Sequence, residues 1–195
     1  GGNVSVQSTQ GSIINETLAT TTGNDSYRDT VIGKTGTISS TGDLSLDAKK
    51  NITVTGAQIA AGGDATLNAG DAITFDTIED KKANTTTSSK NDGFNSTVNK
   101  TTVATTEQVK SGLTVGGNLQ MKAKNDITLA GTDVGVQGDA AIESTNGNLQ
   151  VLARANNTTT TSSTMQTGSG VGGGIVGKQT TDTTTIQDRN VGSNI

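Results

Sequence analysis

Gly42-Asp43-Leu44-Ser45-Leu46-Asp47-Ala48-Lys49-Lys50-Asn51-Ile52-Thr53-Val54 decides how this chain folds. The same pattern of apolar slots returns 75 positions on, as Gly117-Asn118-Leu119-Gln120-Met121-Lys122-Ala123-Lys124-Asn125-Asp126-Ile127-Thr128-Leu129. A shorter interval runs inside it. Gly63-Asp64-Ala65-Thr66-Leu67 follows Gly42 by 21 positions, and Gly138-Asp139-Ala140-Ala141-Ile142 follows Gly117 by the same 21. A fixed period near 20 residues built from short alternating stretches is the signature of a solenoid.

Within one period the side chains alternate. Leu44, Leu46 and Ala48 point one way, and Ser45 and Asp47 the other. Lys50-Asn51 turns the chain, Ile52 and Val54 point inward again, Gly56 marks a second corner, and Ile59 opens a short third side. Stacked about 4.8 Å apart, such rungs form columns, with Leu46 over Leu67 and Ile52 over Ile73. Gly, Asn and Asp at the corners are expected to supply positive φ. The reading finds no cap at either end.

The composition fits a thin core better than a compact globule. Hydrophobic residues make up 29% and aromatics 2%, with no Trp, while Thr and 26 glycines dominate. So little apolar volume cannot fill a two-layer core. Disorder is the rival, yet charged residues are only 16% and Pro is absent. Thr, Val and Ile at period two favour β-structure. Without Cys or His there is no disulfide framework and no thiolate or imidazole site. The net charge is −4 and no basic run exceeds two residues, which argues against nucleic acid as a partner. No apolar run approaches the roughly 20 residues of a membrane-spanning helix. The chain starts and stops inside a repeat and carries no signal peptide, so it reads as one β-helical segment, residues 1–195, of a longer protein.

Three Thr-rich excursions interrupt the rungs, at about residues 15–38, 80–112 and 154–192. Each has a Thr-rich arm, then a turn signal, then a second Thr-rich or β-branched arm. The turns are Gly23-Asn24-Asp25, Asn91-Asp92-Gly93 and the glycine-rich stretch Gly168–Gly177. The pattern predicts three long β-hairpins projecting from the solenoid, close enough to pair side by side. Both faces of the arms are polar, so neither can be deeply buried, and register is weakly specified.

The stretches Gly42–Phe75 and Gly117–Val151 carry the pattern Gly-Asx-Leu-x-Leu-x-Ala-x-x-x-Ile-Thr-Val/Leu-x-Gly. It resembles the haemagglutinin repeats of filamentous-haemagglutinin-like exoproteins. The alternation with Ser/Thr-rich, Gly-rich excursions looks like a repeat region of contact-dependent growth-inhibition exoproteins. The resemblance implies an all-β, right-handed parallel β-helix with Thr/Gly-rich hairpin extensions. It implies export by an outer-membrane partner transporter of the two-partner secretion type. The expected location is the bacterial cell surface or outside the cell, with a target-cell surface or outer membrane as further partner. In the growth-inhibition members this region helps deliver a C-terminal toxin; in others it is a pure adhesin.

Several motifs tempt a different reading. Gly172-Gly173-Gly174-Ile175-Val176-Gly177-Lys178 matches most of a phosphate-binding loop, but Gln179 stands where Ser or Thr should hold magnesium. Gly168, Gly170 and Gly173 match a dinucleotide fingerprint by letter only, with no strand–helix–strand around them. Acidic pairs occur at Asp25 with Asp29, Glu79 with Asp80 and Asp182 with Asp188. A β-helical polysaccharide-degrading enzyme would need such a pair in a groove with aromatics, and Tyr27, Phe75 and Phe94 lie far apart in sequence. No catalytic, cofactor-binding or metal-binding residue is therefore assigned, and no cofactor is expected. The apolar content of the third tip, Val171, Ile175 and Val176, is the candidate contact with a membrane or partner. The sequence thus predicts a non-catalytic stalk, adhesive or toxin-delivery element.

Overall fold

A computed structural model describes residues 2–195. The chain climbs a three-sided coil of parallel strands. The first rung holds β1 (Val4–Ser8) and β2 (Ile13–Glu16), then a hairpin of β3 (Ala19–Gly23) and β4 (Tyr27–Ile32), then β5 (Thr37–Ser40). The second holds β6 (Leu44–Ala48), β7 (Ile52–Thr55) and β8 (Gln58–Ala61). The third holds β9 (Ala65–Ala69) and β10 (Ile73–Asp76), a hairpin of β11 (Ile78–Asp92) and β12 (Asn95–Val109), and β13 (Ser111–Val115). The fourth holds β14 (Leu119–Ala123), β15 (Ile127–Ala130) and β16 (Thr132–Val136). The fifth holds β17 (Ala140–Ser144), β18 (Leu149–Leu152) and a hairpin of β19 (Arg154–Gly168) and β20 (Gly177–Val191). Asn194 then returns to the third side, exchanging backbone bonds with Thr132 and Val134.

The columns read from the sequence are present. Val6, Leu46, Leu67, Met121 and Ile142 lie in register on the first side. Ile13, Ile52, Ile73, Ile127 and Leu149 do so on the second, and Ile38, Ile59, Leu113 and Val134 on the third. In the middle rungs these side chains are buried, together with Phe75 and Leu129. Each contributes about 1.5–3 kcal/mol by leaving water. Large residues at two positions per side suffice, which explains how a chain so poor in aromatics makes a dry core. Several polar side chains are buried as well; among them Asn15 takes a column position, and its Nδ2 donates to the Gln58 carbonyl at 3.0 Å.

The corners work differently from the expectation. Among the described residues positive φ occurs only at glycine, so no Asn or Asp supplies it. The Gly-Asx pairs instead form a ladder along the axis. Asn3 Oδ1 accepts the Asp43 N–H at 2.8 Å, and Asp43 Oδ1 the Asp64 N–H at 3.0 Å. Asp64 Oδ1 accepts the Asn118 N–H at 2.7 Å, and Asn118 Oδ1 the Asp139 N–H at 2.9 Å. A Cβ on Gly63 would lie 2.3 Å from Asp43 Oδ1, and one on Gly117 2.3 Å from Asp64 Oδ1. These glycines are there for room, not for φ.

All three hairpins leave the solenoid at one corner, between the second and third sides. In the two rungs without a hairpin that corner is closed by Gly56 (φ 56°) and Gly131 (φ 54°). Hairpins therefore arise from every second rung. Two rungs rise about 9.6 Å, and the two strands of a hairpin span the same distance. The hairpins consequently meet without strain in one six-stranded antiparallel sheet, ordered β20-β19-β12-β11-β4-β3 along the axis. The second and third hairpins have 15-residue arms and project about 50 Å as a single-layer fin. Threonines cross it in rows, as Thr85, Thr102, Thr161 and Thr184 do.

The boundaries of the first two hairpins differ from the expected ones. Ala19–Ile32 replaces 15–38, because Asn15 and Ile38 face the core and belong to rungs. Ile78–Val109 replaces 80–112, because Ser111 and Gly112 already pair in the third side. Thr-rich composition does not stop where the coil resumes, so composition alone misplaces the junctions.

Candidate functional site

The far rim of the fin is set by two adjacent hairpin tips. β11 and β12 are joined by Gly93-Phe94, with positive φ (60°) at Gly93 alone, the pattern of a type II′ turn. β12 pairs with β19 from Thr106↔Asn157 to Ser96↔Thr167, so the second and third tips end side by side. Asn95 Oδ1 accepts the Ser169 N–H at 2.9 Å and ties them together. Beyond Gly168 the third tip makes one 3-10 turn, Val171–Gly173, enabled by positive φ at Gly170, Gly172 and Gly173.

The rim exposes three large apolar side chains: Phe94 (95%), Ile175 (91%) and Val176 (80%). Val171, the remaining residue expected there, is half-buried within its turn, its carbonyl packed against Gly177. Phe94 was missed by the sequence reading. Its signal was available: an aromatic sits directly after the Asn91-Asp92-Gly93 turn. The first hairpin ends lower. Its Tyr27 pairs beside Asn84, part-way along β11, and is 61% exposed.

At the opposite end, where the fin meets the coil, a polar cleft of about 590 Å³ is lined by Asp76, Thr77, Glu79, Gln108 and Arg154 among others. Arg154 grips Asp76 with two bonds, Nε to Oδ1 at 2.7 Å and Nη2 to Oδ2. Partial burial would raise the Asp76 pKa, but the Arg154 hydrogen bond, the Thr77 N–H and the Arg154 charge outweigh it and hold it below its ordinary value. The Lys81 ammonium holds Glu79 below its ordinary value against partial burial, helped by Gln108. Thr77 Oγ1 donates to Gln108 Oε1 at 2.5 Å, and the Gln108 N–H donates to Asn156 Oδ1 at 2.8 Å. This network joins the bases of the second and third hairpins. Its charges are already paired, which suits a brace rather than a catalytic centre.

The acidic pairs do not form reactive dyads. Asp25 is bound by Arg28 at 2.5 Å, Asp80 by Lys82 at 3.0 Å, and Asp188 accepts from Asn157 at 2.6 Å. Glu79 and Asp80 are consecutive on a strand and so point to opposite faces. The stretch Gly172–Lys178 leads into β20 and not into a helix, so it presents no helix N-terminus to a phosphate. Among the described residues no group of three or more His, Cys, Asp or Glu is placed to hold a metal ion. Among the described residues no helix is long and apolar enough to cross a membrane.

Two overlapping stretches of the sequence, residues 20–105 and 93–188, match one family, described as Hemagglutinin repeat. Together they run from the first hairpin to the last. No curated protein and no solved structure matches the chain.

Proposed function

The chain belongs to the Hemagglutinin repeat family, and on that premise we propose that it is a non-catalytic display element of a secreted bacterial surface exoprotein. The solenoid is the stalk, and the fin carries a contact edge away from it. One observation supports this above the rest. The apolar side chains of the tips are gathered at one rim, about 50 Å from the core that would otherwise bury them. Exposed apolar groups gathered at one place mark an interaction site.

The partner in this reading is the outer membrane or surface of a target cell, reached while the exoprotein is held by its outer-membrane partner transporter. Delivery of a toxin in contact-dependent growth inhibition is the finer form; simple adhesion is the second. Co-sedimentation with outer-membrane vesicles tests both. The triple variant Phe94→Ser, Ile175→Ser, Val176→Ser should lose most of the association, whereas Val171→Ser should change it little. Association unaltered by the triple variant would remove the reason for placing contact at the rim. Release of a vesicle-trapped dye by the native chain separates delivery from adhesion.

A further inference from the structure

β11 runs for 15 residues, and β12 pairs with it along its whole length. On its other side β4 meets it only at Ala83↔Arg28 and Asn84↔Tyr27. Just below, Thr30 Oγ1 donates to the Lys81 carbonyl at 2.8 Å and accepts the Lys81 N–H at 3.0 Å. The first hairpin turns back at Asn24–Tyr27 while the second continues through Thr85–Asp92. Among the described residues no strand pairs with the outer edge of those eight residues, and Thr86–Asp92 are all exposed. In an antiparallel strand alternate residues turn both N–H and C=O away from the neighbour they already pair with. This edge therefore offers an unbroken row of donors and acceptors. Two of the usual protections are missing, since the chain has no Pro and the pairing with β12 has no bulge; the charges on the edge are Lys90 and Asp92.

We propose that the edge Thr85–Asp92 is a strand-acceptor site, taking an extended peptide segment of another protein antiparallel to β11. The guest occupies the lane that β4 leaves empty. Tyr27, exposed at the end of that lane, closes its floor and limits the guest to about eight residues. Charge sets the preferred sequence. Thr86, Ser88, Lys90 and Asp92 share one face, and directly opposed residues share a face across strands. The fitting guest carries a base opposite Asp92 and an acid opposite Lys90, that is, a basic–x–acidic start followed by hydroxyl and β-branched residues. A second copy of this edge satisfies the charges less well: laid antiparallel on itself, the register that brings Lys90 opposite Asp92 pairs only three positions, and the registers that pair seven leave both charges opposite hydroxyl or amide side chains.

The probe is the capped peptide Lys-Thr-Glu-Thr-Val-Thr-Val-Thr, titrated into the intact chain by fluorescence anisotropy with amide hydrogen exchange alongside. Saturable binding is expected, with slowed exchange at alternate amides of Thr85–Asp92. N-methylation of one alternating set of guest amides should weaken binding about tenfold or more, and methylation of the other set should leave it unchanged. Exchanging the Lys and Glu of the peptide should weaken binding several-fold, and Lys90→Glu with Asp92→Lys should restore that exchanged peptide. Absence of saturable binding, indifference to both methylated sets, or protection appearing on β20 instead overturns the proposal. Self-association of the chain without peptide, protecting the same amides, assigns the edge to a second copy and overturns it too.

Discussion

Gly63 lacks a Cβ because Asp43 fills the space, and that contact shows what single residues do here. Gly63→Ala places a methyl 2.3 Å from Asp43 Oδ1, so one rung of the Asx ladder must give way. A loss of about 1–3 kcal/mol is expected in urea unfolding. Asp64→Ala leaves the Asn118 N–H without its partner and should cost about 1–2 kcal/mol. Leu67→Ala, at the buried centre of the first-side column, should cost about 2–5 kcal/mol. The recurrence of Gly-Asx was plain in the sequence, but its cause was not. The bonded partners lie 21, 40 or 54 residues apart, and a reading that moves along the chain sees turn formers, not neighbours in the next rung. Ser8 and Ser144 repeat the lesson: each Oγ accepts an N–H from the glycine three residues on, at 3.1 Å, at equivalent corners. Asp76 adds a pH dependence. Its folded pKa is depressed, so its stabilisation is present above the ordinary carboxylate range and is lost as pH falls through the depressed value. Hydrogen exchange at the bases of β11 and β19 should speed up in that acid range, and Asp76→Asn should show fast exchange already at neutral pH.

Among the elements, solenoid strands and hairpins rest on different physics. The solenoid strands alternate buried and exposed residues, so a slip of one residue would put Leu46 in water. Their apolar spacing made them legible. The hairpin strands bury little beyond Thr30 and Ala83 and are held by backbone ladders and hydroxyl pairs such as Thr21 with Thr30 and Thr85 with Thr102, both at 2.8 Å. Turn chemistry announced them, but no apolar pattern fixed where they began. Which tip residues protrude also escaped the sequence, since the fold of Val171 into its own turn depends on positive φ at Gly170, Gly172 and Gly173. Protection should follow position in the sheet. Amides of β12 and β19, flanked on both sides, should exchange slowest within the fin, and those of the outer edge of β20 fastest, by hydrogen-exchange mass spectrometry. Equal rates across the four long strands would mean that the hairpins do not pair.

The molecule as a whole obeys one rule of spacing, two strands of fin for two rungs of coil. Duplicating residues 119–139 inserts one rung between the second and third hairpins. The coil should still fold, but β12 and β19 would stand about 4.8 Å too far apart and lose their ladder. Circular dichroism should stay β-rich while protection in β12 and β19 collapses. Duplicating residues 44–118, two rungs with a hairpin, should keep both. A mechanical consequence follows for a surface stalk. The bonds between rungs and the bonds between fin strands point along the same axis, so a pull on the stalk is shared by both sheets in parallel. Tension then concentrates where the sharing is poorest, at the two-residue junction of β4 with β11. Stretched from its ends, the chain should part first between the first hairpin and the second, and the long hairpins should come away from that seam still joined.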